Sequence, residues 1–129
     1  MPSDFPAIFA RLRAILQKNI GRLSVKKDMP TTFCLAGGLH PKHKMPMDVA
    51  WVKIDKNYVS FHLMPIYGCP KLLDDCTDKL KARMQGKSCF NFKSLDESLF
   101  SELDDLTARS FAALKKAGFL ADDVAKQPG

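Results

Sequence analysis

Asp48-Val49-Ala50-Trp51-Val52-Lys53-Ile54-Asp55-Lys56-Asn57-Tyr58-Val59-Ser60-Phe61-His62-Leu63-Met64 reads as a β-hairpin. Apolar and polar residues alternate with period two from Asp48 to Ile54 and again from Tyr58 to Met64, and Asp55-Lys56-Asn57 supplies the turn between them. Because successive strand side chains point to opposite faces, Ala50, Val52, Ile54, Val59, Phe61 and Leu63 share one face. Trp51, Lys53, Tyr58, Ser60, His62 and Met64 share the other. The first set is a core face; the second mixes aromatic rings with cations and an imidazole.

Upstream, Phe5, Ile8, Phe9, Leu12, Ile15, Leu16, Ile20 and Leu23 recur at steps of three and four, which draws one apolar stripe along a helix. Ser3 is placed to cap it and Gly21 to stop it. Its opposite face carries Arg11, Arg13, Gln17, Lys18 and Arg22, and Lys26 and Lys27 follow, so the helix is amphipathic and basic. Thr31 to Ala36 is a short strand ending at Gly37-Gly38, and Leu39 to Pro46 is a polar, proline-broken loop.

Downstream, Pro65 breaks the hairpin's second strand and Ile66-Tyr67-Gly68-Cys69-Pro70 turns into a helix with Leu72, Leu73, Cys76, Leu80 and Met84 on one side, ended by Gly86. Asp74, Asp75 and Asp78 precede Lys79, Lys81 and Arg83, the charge order a helix dipole favours. Ser88 to Lys93 is a strand with Phe90 and Phe92 on one face. Ser94-Leu95-Asp96-Glu97 matches a capping box opening a last helix with Leu99, Phe100, Leu103, Leu106, Phe111 and Leu114, closed near Gly118, with residues after about 120 fraying.

The expected order is α-β-β-β-α-β-α, an α+β fold in which an antiparallel sheet of about four or five strands packs against N-terminal and C-terminal helices. At 129 residues, with 46% hydrophobic and 26% charged residues and no low-complexity tract, residues 1–129 are expected to make a single domain. The expected setting is cytoplasmic and non-membrane. No apolar run approaches a membrane span, no basic-then-apolar leader opens the chain, and the four cysteines lack the dense spacing of a secreted disulfide scaffold.

From Tyr58 onward, Val-Ser-Phe-His-Leu, an acidic-then-basic helix, Gly86-Lys87-Ser88-Cys89-Phe90-Asn91-Phe92 and the capped last helix resemble the YdhG-like domain-of-unknown-function family. The resemblance extends more weakly to the N-terminal helix and first strands. It implies a small α+β fold with an antiparallel sheet, usually in a bacterial cytoplasm, and no particular reaction. An iron-delivery role attached to part of that family requires a cluster of carboxylates. This chain departs from that pattern, because its first helix is basic and Asp74-Asp75 and Asp104-Asp105 lie at helix-surface positions.

The chain contains no phosphate-binding glycine loop, no serine elbow and no His-Glu-x-x-His, so no catalytic residue and no cofactor is assigned. His40 and His43 share the polar loop without a Cys-x-x-Cys pair, and no metal ligand is assigned either. Cys69 near His62 is the minimum for a thiolate with a base, without a third group to orient it. The hairpin's mixed face is the leading candidate for ligand binding, through Trp51, Tyr58, His62, Met64 and Tyr67 beside the 37–47 loop. The same face is otherwise a second core layer under a helix.

The expected function is therefore a non-enzymatic binding module for a small molecule or a protein partner. Two alternatives come from other classes. With a net charge of +6, nucleic-acid binding would use the basic first helix with Lys26, Lys27, Lys42 and Lys44. Iron or zinc handling would use His40, His43 and a cysteine.

Overall fold

A computed structural model describes residues 4–21, 23–37, 47–86 and 88–116. Helix α1 spans Phe5–Lys18, β1 Ser24–Met29, β2 Thr32–Gly37, β3 Met47–Ile54 and β4 Val59–Leu63. A short α2, Met64–Gly68, leads into a 3-10 turn at Pro70–Leu73 and a one-turn α3, Asp78–Lys81. Strands β5, Met84–Gln85, and β6, Cys89–Phe92, precede the long α4, Glu97–Lys116. The strands form one six-stranded sheet in the order β1-β2-β3-β4-β6-β5. Every neighbouring pair is antiparallel.

The expected antiparallel hairpin is present, and its register places Ala50 opposite Leu63, Trp51 opposite His62, Val52 opposite Phe61 and Ile54 opposite Val59. The core face is buried except for Ile54, which is half-buried at its end: Phe33, Leu35, Ala50, Val52, Val59, Phe61, Leu63, Phe90 and Phe92 pack with Phe5, Ile8, Phe9, Leu12, Ile15 and Leu16 of α1 and Leu99, Phe100, Leu103 and Leu106 of α4. Ile66 of α2 and Leu80 of α3 join the same cluster, so every described helix lies on this one side of the sheet. Each large apolar side chain removed from water here contributes about 1.5–3 kcal/mol. The register shift between Leu35 and Ala36 turns Val49 inward beside Ala50, so Val49 is also fully buried.

Four expectations are corrected. The sheet has six strands, because Ser24–Met29 is an edge strand and Met84–Gln85 a short one. All six residues of β1 are exposed, so it carries no alternating apolar signal to read. The single helix expected from Leu72 to Met84 is broken by contacts from α4: Arg109 Nη1 donates to the Leu72 carbonyl at 3.2 Å, while the Thr77 amide and hydroxyl donate to Glu102 at 2.6 and 2.7 Å. Thr77 Oγ1 in turn accepts from the Leu80 amide at 3.2 Å and starts a separate turn of helix. Gly86 accordingly ends no helix; at φ +80° it turns β5 into β6.

Met64 is the third correction, since it opens α2 instead of ending the strand. The cap of α4 also moves: Asp96, not Ser94, accepts from the Leu99 amide at 3.2 Å. Ser3, Arg22, the 38–46 segment with His40, Lys42, His43 and Lys44, Lys87, Gly118 and the residues after 120 lie outside the described residues.

Candidate functional site

On the side of the sheet away from the helices, pairing places one residue of each strand in a continuous row: Lys27, Cys34, Trp51, His62, Cys89 and Gln85. Met29, Thr32, Lys53, Ser60 and Asn91 form the parallel row beside it. Among the described residues no helix packs on this face, and Trp51 and His62, at its centre, are half-buried. Cys34 is buried without belonging to the helix-side core.

Trp51 and His62 are cross-strand neighbours, and their rings stack with centroids 4.5 Å apart and planes 17° from parallel. A rigid pair of flat rings results, because each side chain has two rotatable bonds and each is braced by the other. Burial pushes the His62 imidazole below its ordinary pKa, so the ring is neutral at pH 7 and offers one donor and one acceptor nitrogen. Lys53 and Asp55 flank the pair, with Lys53 Nζ 3.7 Å from Asp55 Oδ1 and Ser60 Oγ 3.0 Å from Asp55 Oδ2.

The neighbour of His62 on the other side is Cys89, which the sequence did not single out; Cys69 lies beyond α2. Burial raises the Cys89 thiol to about 11, and its Sγ lies 3.4 Å from Asn91 Oδ1. A thiol held up and an imidazole held down leave both groups neutral near pH 7, the opposite of an activated thiolate–imidazolium pair. Burial raises Cys34 and Cys76 as well.

Of the expected ligand residues, the sheet brings Trp51 and His62 together. Tyr58 lies on the same side and lines a groove with Arg83, Gln85, Asn91 and Lys93. Met64, on α2, is half-buried, and the side chain of Tyr67 lies outside what the structure describes. Cys34, Cys89 and Asn91 were missed because no local pattern marks them; they enter the site only through the pairing of β2 and β6.

The cations of α1 are engaged within the fold. Arg11 forms a two-point pair with Glu97 at 2.8 and 2.6 Å, Arg13 meets Asp28 at 2.8 Å and lies over the Phe33 ring, and Lys18 meets Asp104 at 2.8 Å. Lys26 meets Asp48 at 2.7 Å. Among the described residues no group of three or more His, Cys, Asp or Glu side chains is arranged to hold a metal ion, and no helix is long and apolar enough to cross a membrane. The chain matches no family model, no curated protein and no solved structure.

Proposed function

We propose that this protein is a non-enzymatic binding module whose recognition surface is the sheet face carrying Trp51 and His62. The stacked pair supports this reading most directly. Two rings lie 4.5 Å apart at the centre of a face that no described helix covers. Such a face combines apolar contact area with a few fixed polar groups, which is the make-up of ligand surfaces. The neutral Cys89 and His62 favour binding over nucleophilic chemistry on the same ground.

A small molecule or a segment of a partner protein suits this surface better than nucleic acid suits α1, whose cations already meet Glu97, Asp28 and Asp104. Native mass spectrometry of gently purified, untagged protein tests the reading. A stoichiometric extra mass is expected on the parent chain and absent from a folded Trp51→Ala, His62→Ala double variant. The same adduct retained by the double variant would place recognition elsewhere.

A further inference from the structure

The Tyr58 groove lies at the β5–β6 end of the same face and has a volume of about 410 Å³. That is within the roughly 300–1,000 Å³ of small-molecule sites. Arg83 and Lys93 contribute two cations to its lining, and no carboxylate is among the lining residues. Among the described residues neither cation is ion-paired; the nearby Asp96 carboxylate belongs to Lys79, at 3.1 Å, and to the start of α4. Arg83 and Lys93 also border the adjoining concavity that Asp96 lines, but that carboxylate is paired with Lys79, and two cations lining the Tyr58 groove with no acid beside them favour an anion there.

The walls are held in place. The Asn91 amide donates to the Arg83 carbonyl at 2.8 Å, tying the segment that carries Arg83 to β6. Asn91 Nδ2 donates to Gln85 Oε1 at 2.6 Å, which leaves the Gln85 NH2 group to donate to a ligand. Tyr58 adds the one aromatic ring of the lining. Arg83 brings a planar fork that matches a phosphate or a carboxylate at two points.

We infer that this groove binds a small planar aromatic anion, with the ring against Tyr58 and its phosphate or carboxylate between Arg83 and Lys93. The inference rests on the sheet face being the recognition surface and adds the chemistry of the ligand. The test is a titration of the full ¹⁵N-labelled chain, followed by amide shifts, with four probes: adenosine 5′-monophosphate, indole-3-acetate, adenosine and inorganic phosphate. A fifth sample takes a short single-stranded oligonucleotide.

At least one charged aromatic probe is expected to move the Arg83, Gln85 and Asn91 amides, the phosphate or the carboxylate arm identifying the preferred anion. Adenosine and inorganic phosphate should each bind about tenfold more weakly or less, and Arg83→Gln with Lys93→Gln should weaken the charged probe by about tenfold, a loss that Arg83→Lys with Lys93→Arg largely restores. Silence of these amides toward both charged aromatics, equal binding of adenosine, or a response to the oligonucleotide alone would overturn the inference. In any of those outcomes, neutral aromatic fragments that still shift Trp51 and His62 would leave the broader reading standing, and their failure to do so would remove it too.

Discussion

The Asp96 carboxylate accepts from Ser98 Oγ at 2.9 Å and from the Leu99 amide at 3.2 Å, with Lys79 Nζ at 3.1 Å, and these contacts hold its pKa down at about 2. Its folded value lies below its ordinary 3.8, so its contribution to stability is complete above about 4 and is lost as pH falls through the folded value. Melting temperature followed from pH 5 to pH 2 should therefore drop less in Asp96→Asn than in the parent; equal slopes would contradict the assignment. His62 works in the same direction from another cause. Burial lowers its pKa below 6.5, so the unfolded chain binds more protons in that window and stability falls on acidification below about 6.5. Trp51 is the sole tryptophan, and its emission should report the His62 titration with a midpoint below 6.5, a signal absent from His62→Gln. A midpoint at or above 6.5 would show an imidazole that is not desolvated. Cys89, raised to about 11, should react with iodoacetamide slowly at neutral pH and faster as pH climbs toward that value; a rate that levels off near pH 8.5 would count against it.

Among the elements, α1, β3, β4, β6 and α4 were legible because each carries a period of its own. The apolar stripe of α1 from Phe5 to Leu16 is buried as its spacing requires, and Val59, Phe61 and Leu63 alternate inward from β4. What was not legible depends on distant partners. Leu72, Leu73, Cys76, Leu80 and Met84 have helical spacing, yet Glu102 and Arg109, on α4, hold Thr77 and the Leu72 carbonyl in a geometry no continuous helix allows. Edge strand β1 is exposed throughout and marked by Lys26, Lys27 and Asp28, residues that blunt a sheet edge and resemble a loop in sequence. Two substitutions weigh these elements. Leu12→Ala, which empties a fully buried position where α1 meets the sheet, should cost about 2–5 kcal/mol in chemical denaturation. Gly86→Ala should cost about 1–2 kcal/mol, because φ +80° at the β5–β6 turn is strained for any residue with a Cβ, although nothing lies within 4 Å to clash with it. A neutral result at Gly86 would mean that the turn relaxes to negative φ.

At the level of the whole molecule, one layer of helices covers one side of an antiparallel sheet, and the other side gathers residues from all six strands. The hairpin alone pointed to half of that surface, Trp51, Tyr58 and His62, because alternation assigns each side chain to a face. It was silent on Cys34, Cys89, Gln85 and Asn91, which join the surface only when β2, β6 and β5 take their places beside it. Net charge, likewise, does not say where its cations lie. The chain carries +6, but the cations that made α1 look like a nucleic-acid surface meet carboxylates on β1 and α4. Arg83, which the sequence explains by the charge order of a helix, and Lys93 border a groove without an acid in its lining.

Mapping neutral aromatic fragments onto the labelled protein by amide and indole shifts tests whether the face of Trp51 and His62 is a recognition surface. The shifts are expected to cluster on Trp51, His62, Cys89 and Asn91 and to vanish in the folded Trp51→Ala, His62→Ala variant. Shifts scattered over the helix layer, or none on this face, would contradict the claim.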